Sequence, residues 1–382
     1  MQENTNDTAT PPTLPPDLTI GKIIRSIPAD CLRPSLGRSI SYLLRDFATA
    51  IIAIVAIVMV SRADLSTTAT WALGLPLAIL LGLALGGLFV LAHDCGHRSF
   101  ARSVRMNNIF GHICSSVTLW PFHVWRADHD LHHRHTDHID LDPAWRPVTW
   151  RMWRKMPRLS RWIYLQTRSR FFFLGSIYTT WLAIKMGVKD WNNQKLSPEA
   201  RSELRWSLVF VFICASIEIV GSVVLAGWFG FICLFVIPQL VFHAQLSTAT
   251  LFHHTSPDSR FLDRKEWTIE RAQLAGSIHV SYPRWVEFFW HDINWHVPHH
   301  VCVGIPHYRL REAHAALKST WPELVREKVF TAQLVRETLG TCHFIKSKAP
   351  SDLSWTTKVA AEHAAAEVAA ARQCASKVPS PS

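Results

Sequence analysis

The segment Trp71–His97 reads WALGLPLAILLGLALGGLFVLAHDCGH, and it decides the class of fold. The part up to Ala92 carries no charged residue, and about 20 apolar helical residues are enough to cross the hydrocarbon core of a bilayer. A transmembrane helix is therefore predicted here. Its GxxxG pair, Gly82 and Gly86, predicts close packing against a second helix.

The composition of the whole chain agrees with several such helices. Of the 382 residues, 48% are hydrophobic and only 18% are charged, which is too apolar for an ordinary soluble enzyme. The formal net charge of +11 would suit nucleic acid, anionic lipid or an acidic protein, and the apolar helices argue against nucleic acid. The eight cysteines contain no CxxC pair, so neither a disulfide framework nor a zinc ribbon is predicted.

Three further spans are predicted from runs of apolar residues, at Leu43–Val60, Trp206–Ala226 and Trp228–Ala244. The last two form a pair joined by almost no loop. Two weaker apolar stretches, Ile109–Val124 and Phe171–Met186, are short and contain polar residues. Both are predicted to be re-entrant or interfacial helices that do not cross the membrane.

The distribution of basic residues predicts the orientation of these spans. Arg and Lys crowd the segment Arg98–Arg205 and also occur in both terminal regions, so by the positive-inside rule all three face the cytoplasm. The predicted fold is an all-α integral membrane protein, with four transmembrane helices in two hairpins and a cytoplasmic helical cap. Residues 1–38 are predicted to be a polar, disordered N-terminal region, 39–345 the membrane domain, and 346–382 an Ala-rich and disordered tail.

Three histidine-rich segments follow the predicted spans on that shared side. They are HDCGH (His93, His97), HDLHH (His129, His132, His133) and HVPHH (His296, His299, His300). Spacings of three and four residues place the imidazoles of each segment on one helical face. Pro298 makes the third helix less regular. Eight imidazoles exceed the three or four ligands of one zinc site and suit two transition-metal ions. Imidazole suits iron, zinc, copper and nickel alike, so the metal stays open at this point.

Nearby carboxylates are candidates to accept the second ring N–H of the ligating histidines. Six aspartates are close in sequence, and some of them must be solvated loop residues: Asp94, Asp128, Asp130, Asp137, Asp140 and Asp142. Asp94, Asp137, Asp140 and Asp142 are selected for this orienting role.

The remaining histidines are not predicted to be ligands. His291 and His307, which flank the third segment, are expected either to support ligands or to be structural. The others are expected to be ordinary surface residues: His112, His123, His135, His138, His279, His314, His343 and His363.

The chain resembles the membrane fatty acid desaturase family, and its Δ12/ω-6 acyl-lipid branch in particular. The resemblance runs from about residue 40 to 335 and rests on HDCGHRSF (His93–Phe100), HHRHTDHIDLDPAW (His132–Trp145), LFHHTSP (Leu251–Pro257) and HVPHHVCVGIPHY (His296–Tyr308). It implies that 39–345 is a desaturase domain with a non-haem diiron centre. Such a centre uses dioxygen and two electrons to remove two hydrogens from a lipid acyl chain. The expected reaction inserts a cis double bond that converts oleoyl to linoleoyl.

The resemblance also implies a ninth ligand in the segment FHHT. His254 is selected, with His253 as the neighbour that could exchange roles with it. Asp137 stands where this branch usually has Asn, which affects the hydrogen bonds around the ligands. The third segment begins with His296 rather than Gln, and no haem-binding HPGG motif occurs, so a front-end desaturase is not indicated.

Electrons must come from another protein, because the chain has no flavin, haem or iron–sulfur signature. The basic cytoplasmic side would suit a ferredoxin or a cytochrome b5, and it would suit anionic lipid headgroups equally well. Two other functions remain in view. A related diiron hydroxylase or ketolase acting on alkanes, sterols or carotenoids shares the histidine spacing, although the DPAW and PHY matches favour a desaturase. A His-rich metal transporter would need ionisable residues along the spans, which offer little besides Glu218.

Overall fold

The computed structural model describes residues 14–144, 147–345 and 355–356, and these are mainly helical. The α-helices are α1 Ile20–Arg25, α2 Leu36–Arg62, α3 Thr67–Gly96, α4 Val104–Ser116, α5 Phe122–His135, α6 Trp150–Lys155, α7 Arg158–Gln166, α8 Gly175–Lys189, α9 Pro198–Gly230, α10 Ile237–His254, α11 Ile269–Arg271, α12 Arg284–Phe289, α13 His296–Val301, α14 Leu310–Thr320 and α15 Ala332–Thr341. Short 3₁₀ helices occupy Ala29–Leu32, Phe172–Leu174 and His307–Arg309, and π-helices occupy Phe231–Val236 and Ala272–Gly276.

Three helical runs in the described part of the chain are long and apolar enough to cross a membrane: Leu36–Arg62, Thr67–Gly96 and Pro198–His254. The second begins where Ser66 accepts a hydrogen bond from the amide of Ala69, and the third where Ser197 caps a helix with proline at its first position. These runs contain all four predicted spans.

The third run is two helices rather than one. Its backbone leaves helical geometry at Ala226 and at Gly227, whose φ of 59° and ψ of −146° are accessible to glycine and costly for other residues. The Gln239 amide nitrogen donates to the Glu218 carboxylate at 3.0 Å, although 21 residues separate them. A straight helix of that length would rise about 31 Å, so α9 and α10 form a hairpin. The same bond gives Glu218, a carboxylate in an apolar helix, a partner inside the protein.

Helix α3 lies at the centre of the long helices, packed against α2, α4 and α10. A Cβ on Gly82 would lie 2.5 Å from Cβ of Val241, and a Cβ on Gly86 would meet the side-chain amide of Gln245. The close packing predicted from the GxxxG pair is therefore present, and α10 is the partner. The C-terminal half of α3 is buried throughout, which holds the histidines at its end inside the protein.

The two weaker apolar stretches form short helices. The first is divided between α4 and the start of α5, and the second between a 3₁₀ turn and α8. Neither belongs to the long apolar runs. On α4, Ile109 and Ile113 lie one turn apart and remain exposed, as in a helix with one apolar face turned outward.

The segment beyond α10 packs around the C-terminal ends of α3 and α10 and contains short strands. Strand β1, Ile278–Ser281, pairs in parallel with β2, Arg326–Val329, with Ile278 opposite Arg326. Strand β3, Phe344–Ile345, pairs antiparallel with β4, Trp355–Thr356. The predicted helical character is confirmed, and the structure adds these two small sheets, whose strands of two to four residues carry too little alternation to be predicted from the sequence.

The N-terminal region also differs from its prediction. Within residues 1–38, which were expected to be disordered, α1 and the 3₁₀ turn bury Ile23, Ile27 and Cys31 against Val297 and Leu317. This burial of apolar side chains orders the segment from residue 14 onward. Residues 1–13 lie outside the described part of the chain. So does the predicted tail 346–382, apart from the two residues of β4.

Candidate metal centre

The nine histidines selected from the sequence converge into two neighbouring groups. The five-histidine group consists of His93, His97, His129, His133 and His299, and one ligand atom of each lies within 4.8 Å of the others. His132, His254 and His300 meet the same criterion, and Nε2 of His296 lies 3.0 Å from Nε2 of both His254 and His300. These four are called the four-histidine group.

Two short helical segments each supply both groups. On α5, His129 and His133 lie one turn apart and join the five-histidine group, whereas the intervening His132 joins the four-histidine group. On α13, His299 joins the first group while His296 and His300 join the second. The spacing of three and four residues therefore serves two adjacent sites. The ends of α3 and α10 complete them.

Short contacts between ring nitrogens mark the centre of the five-histidine group. Nε2 of His133 lies 3.1 Å from Nε2 of His129 and 3.0 Å from Nε2 of His299. Nε2 of His97 is buried without a hydrogen-bond partner among the described residues. Trp125 stacks on the ring of His129, with ring centroids 4.6 Å apart.

Three rings of the four-histidine group have their orientations fixed by acceptors on Nδ1, whereas Nδ1 of His254 is buried without a hydrogen-bond partner among the described residues. Nδ1 of His132 lies 2.7 Å from a carboxylate oxygen of Asp142, and Nδ1 of His296 lies 3.3 Å from the carbonyl of Ile293. Because both partners only accept, each Nδ1 carries the proton and each Nε2 presents a lone pair. Nδ1 of His300 likewise lies 3.2 Å from the hydroxyl oxygen of Thr136 and 3.2 Å from the amide oxygen of Gln273.

The donor set fits a pair of metal ions. The lone pairs on Nε2 of His296 and His300 face each other across 3.0 Å, and a cation bound between them would relieve their repulsion. The Nε2–Nε2 contacts of 3.0–3.1 Å in both groups are short enough for neighbouring imidazoles to bind one ion.

Burial keeps these rings neutral, as metal ligation requires. It lowers the pKa well below 6.5, with neighbouring histidines adding to the effect, for His129, His133, His296, His299 and His300. A neutral imidazole offers one lone pair without prior loss of a proton. The unprotonated form is therefore available at neutral pH.

The four selected aspartates differ in what they contact. Asp142 is buried and orients His132, while its other oxygen accepts from the amide of Asp137 at 2.8 Å. Asp140 is exposed, and its backbone N–H donates a hydrogen bond to Nδ1 of His138. Its carboxylate does not contact a ring of either group among the described hydrogen bonds, so the orienting role expected of it is corrected. It lies where the loop turns outward, which spacing alone does not reveal.

Asp94 and Asp137 are both buried but touch other groups. An oxygen of Asp94 lies 2.8 Å from Nδ1 of His307, and its second oxygen is 3.8 Å from Nδ1 of His93, too far for a hydrogen bond. Asp137 has a φ of 60° and packs against Gly276, and burial raises its pKa well above 3.8, with the charge of Asp142 adding to the shift. Among the described residues, neither makes a hydrogen bond to a ring of the two groups.

His291 and His307 form a buried connection between α2 and the metal centre. Nε2 of His291 lies 2.6 Å from a carboxylate oxygen of Asp46, and Arg45 contacts both side chains. The ring centroid of His307 lies 4.9 Å from that of His291. His307 therefore supports Asp94 beside the first ligand, and His291 attaches α2 to the segment that carries α13.

Several histidines expected on the surface are buried instead. His123, His138, His279 and His314 are at most 8% exposed, which corrects that expectation. His279 stacks on Trp295 at 3.9 Å between ring centroids, so ring packing explains its burial. The half-buried ones are His112, His135 and His343, and His363 lies outside the described residues. His253 is buried one residue before His254 but is not part of either group.

An apolar cavity leads to both groups. It runs along α3 and α10, and its walls include Phe89, Val90, Trp120, Phe242, Leu246, Ala249 and Trp290. One end is formed by His93, His129, His132, His254 and His296, which come from both groups. Gly86, seven residues before His93, lies about 10 Å along α3 from the histidine end. The mainly apolar lining suits a hydrocarbon chain.

The comparisons with known proteins agree with this site. A family model described as Fatty acid desaturase matches residues 69–330, which contain all nine histidines and the cavity. The chain belongs to the fatty acid desaturase family. The desaturase is therefore an oxidoreductase, and its apolar helices make it a membrane protein.

Curated relatives cover most of this desaturase. The sn-1 oleoyl-lipid 12-desaturase of Synechocystis sp. is 35% identical over 327 residues, which cover 86% of this chain and 89% of the relative. The protein of the same name from Picosynechococcus sp. is 38% identical over 72% of this chain and 78% of its own length. The chloroplastic omega-6 fatty acid desaturase of Spinacia oleracea is 32% identical over 86% of this chain and 70% of its own length. These similarities support the Δ12/ω-6 branch within the family.

Residues that orient the ligands of the desaturase were only partly predicted. Thr136 and Gln273 both reach Nδ1 of His300 at 3.2 Å, and Trp125 stacks on His129. Thr136 lies three residues beyond the second histidine segment, and Gln273 lies in a π-helix without histidines. A threonine and a glutamine have many roles in sequences, so no pattern distinguishes these two. Trp125 lies four residues before His129, and that helical spacing was a usable signal.

Proposed function

We propose that this desaturase inserts a cis double bond at the Δ12 position of an oleoyl chain in a membrane lipid, giving linoleoyl. The observation that carries the proposal is the apolar cavity that ends at both histidine groups. An apolar cavity accepts a hydrocarbon chain by burying its surface, and no polar substrate of similar length would be stabilised there. The printed names of the relatives, oleoyl-lipid 12-desaturases and omega-6 desaturases, supply the position and the carrier class.

The two histidine groups would hold two iron ions, one in each group. The iron centre supplies, with dioxygen and two electrons, the oxidising power to break unactivated C–H bonds, for which no side chain suffices. The atoms balance as –CH₂–CH₂– + O₂ + 2 e⁻ + 2 H⁺ giving –CH=CH– + 2 H₂O. Phe89, Phe242, Leu246 and Trp290 would hold the acyl chain and exclude water from the reacting carbons. No general base on the chain is needed.

The electrons come from a separate protein in this proposal. The chain carries 40 Lys and Arg against 29 Asp and Glu, and an acidic ferredoxin or cytochrome b5 is the partner type that such a surface favours. Reconstitution of the purified desaturase with each donor in turn, at two ionic strengths, distinguishes them. The productive donor should show a rate that falls as salt rises.

We further propose that four helices, α2, α3, α9 and α10, cross the membrane, and that both termini and the metal centre are cytoplasmic. Support comes from the hairpin formed by α9 and α10 and from the basic residues between α3 and α9. Reporter fusions ending after Asp64 and after Ser160 test this orientation. The first should report the outside and the second the cytoplasm. The opposite pattern would refute the proposed orientation.

Gas chromatography with mass spectrometry of fatty acids tests the reaction itself. A host rich in oleate and supplied with a compatible electron donor is compared with and without the chain. New 9,12-dienoic acid is the expected result. A diene at another position would refute the Δ12 assignment, and a hydroxylated product would move the protein to a related diiron hydroxylase.

A pair of glycine variants tests whether the cavity holds the acyl chain. In Gly86→Val the new side chain would displace the amide of Gln245, which bonds to Gly82 O at 2.8 Å and to Trp290 Nε1 at 2.9 Å in the cavity wall. Diene formation should fall by about tenfold or more, because small displacements of bound substrate are costly. Gly221→Val is the matched control, since a Cβ there would meet no described atom within 4 Å. Equal product from both variants would refute the cavity as the acyl site.

A further inference from the structure

We propose that Gln273 is a positioning residue that fixes the ring of His300 and connects the two histidine groups. The proposal rests on the proposed function in one respect, that the two groups hold iron. Gln273 belongs to none of the three histidine segments and to none of the motifs that indicated the family. It is assigned from its contacts alone.

Gln273 lies in a π-helix, Ala272–Gly276, and is 3% exposed. π-helical turns are rare and occur frequently at functional sites, because the wider turn redirects one side chain. Here the turn directs a polar amide into the space between α5 and α13. Burial of an amide is costly unless its N–H and C=O groups have hydrogen-bond partners. The partners of the Gln273 amide therefore indicate its role.

The orientation of this amide is determined by its two partners. Its nitrogen donates to the main-chain carbonyl of His133, which can only accept. The amide oxygen therefore faces His300, and it lies 3.2 Å from Nδ1 of that ring. Since an amide oxygen only accepts, Nδ1 of His300 must carry the proton. Nε2 of His300 then presents its lone pair to the four-histidine group.

The contacts of Thr136 independently place the proton of the His300 ring on Nδ1. Its hydroxyl donates to the carbonyl of His132 at 2.9 Å, so the lone pair of its oxygen is what faces Nδ1 of His300 at 3.2 Å. Trp267 in turn donates to the carbonyl of Thr136 at 2.9 Å. Two acceptors from different parts of the chain thus hold one ring N–H.

The amide also connects the two groups. Its nitrogen reaches the backbone of His133, a member of the five-histidine group, and its oxygen reaches His300 of the other group. The rings of His133 and His300 are stacked with centroids 4.3 Å apart. Gly276, at the end of the π-helix, leaves space for the side chain of Asp137, which follows Thr136. One amide therefore sets the separation of two segments that each supply both groups.

Removal of the amide should weaken one ion more than the other. In Gln273→Leu the ring of His300 loses one of its two buried acceptors, and loss of such a partner typically lowers metal affinity 10–100-fold. Gln273→Glu keeps an acceptor of the same length at His300 but cannot donate to the carbonyl of His133. It should hold the iron of the four-histidine group nearly as well as the native chain.

The experiment measures iron retained by purified full-length protein as a chelator is raised, with Mössbauer spectra at each step. The native chain should lose its two iron signals at high chelator. Gln273→Leu should lose one signal at 10–100-fold lower chelator, and Gln273→Glu should not. The matched control is Gln239→Leu, which removes another buried amide, one that donates to the carbonyl of Val117 at 3.2 Å and to the carboxylate of Glu218 at 3.0 Å and contacts neither histidine group among the described hydrogen bonds.

The outcomes separate the two proposals. A native chain without iron refutes the proposed function. Native retention together with native-like retention in Gln273→Leu refutes the role of Gln273. If Gln273→Leu does not fold, Gln273→Glu decides, because loss of one iron signal from that variant would show that the acceptor at His300 is not what matters. Equal losses in Gln273→Leu and Gln239→Leu would also refute the specific role.

Discussion

The two histidine groups are built from the same short helices, yet their rings are held in different ways. In the four-histidine group, Asp142, the Ile293 carbonyl and Gln273 each accept a hydrogen bond from Nδ1 of a different ring, and Nδ1 of the fourth ring, His254, has no partner among the described residues. In the five-histidine group, Nδ1 of His93 and of His133 is buried with no hydrogen-bond partner in the part of the chain that the structure describes. There the rings are held chiefly by packing against one another and against Trp125.

Because the rings of the two groups are held in different ways, the two ions would not be equivalent. Acceptors on Nδ1 fix the tautomer and raise the basicity of the ligand. Three rings of the four-histidine group therefore present the lone pair of Nε2 before an ion binds. Ring packing fixes orientation but leaves the tautomer open. The five-histidine group compensates by offering one more ligand.

The largest effect is expected from removing one ligand from each group. His299→Ala and His300→Ala should each lower desaturation by at least about 100-fold, because each removes one of the proposed metal ligands. They should also lose different iron signals in Mössbauer spectra. His343→Ala is the control, since His343 is half-buried, bonds to the carbonyl of Leu339 and lies outside both groups. Loss of the same signal from both variants would show that the groups are not separate sites.

The next effect compares two aspartates of one loop. Asp142→Ala removes the acceptor on His132 and should lower iron affinity of the four-histidine group 10–100-fold. Asp140→Ala changes an exposed side chain and should leave iron retention unchanged. Chelator titration of the purified variants measures both. Similar retention in the two variants would contradict the orienting role of Asp142.

A smaller effect is expected from the ring packing of the other group. Trp125→Leu removes the stacking on His129, and aromatic pairs of this kind contribute about 0.5–1.5 kcal/mol. Iron retention by the five-histidine group should therefore fall by about two- to tenfold, and Trp125→Phe should restore most of it. A loss as large as that of Asp142→Ala would show that packing and hydrogen bonding contribute equally.

The smallest effect concerns buried histidines outside both groups. Burial lowers the pKa of His279 and of His291 to about 4, against 6.5 in an unfolded chain. Below pH 6.5 the unfolded state binds protons that the folded state does not, so stability falls as pH decreases from 6.5 toward 4. The iron-free protein in detergent should have a free energy of unfolding that is lower at pH 5.5 than at pH 7.5 by about 1 kcal/mol per group, and the midpoint of thermal unfolding should fall accordingly. His279→Gln should flatten that dependence, and an equal slope in native and variant protein would contradict it.

Much of the fold was predictable because hydrophobic length is read directly from the sequence. All four predicted spans lie within the long apolar helices, and the break at Gly227 falls where the short connection was expected. The two small sheets were not predictable, since β1 finds its partner β2 far along the chain. The burial of Ile23 and Cys31 likewise depends on a surface formed by the last third of the protein.

The candidate site divides in the same way. The spacing within three short segments predicted eight histidines as metal ligands, and the ninth, His254, was selected only from the family resemblance. The residues that orient these histidines differ in how far they lie from them along the sequence. Asp142 was predicted because it is ten residues from His132, whereas Gln273 is 140 residues from His133. The sequence distinguishes residues that coordinate by their chemistry, but a supporting amide is recognised only when the fold brings it to a ligand.

The most direct test of the account is the iron content of the purified native chain together with its Mössbauer spectrum. We expect two iron ions per chain and two signals of equal area with different parameters. Three of the four rings in one group have Nδ1 acceptors, whereas Nδ1 of His93 and of His133 in the other group has none among the described residues. A chain that binds a single iron, or none after anaerobic loading with ferrous iron, would contradict the assignment of the nine histidines to two metal sites.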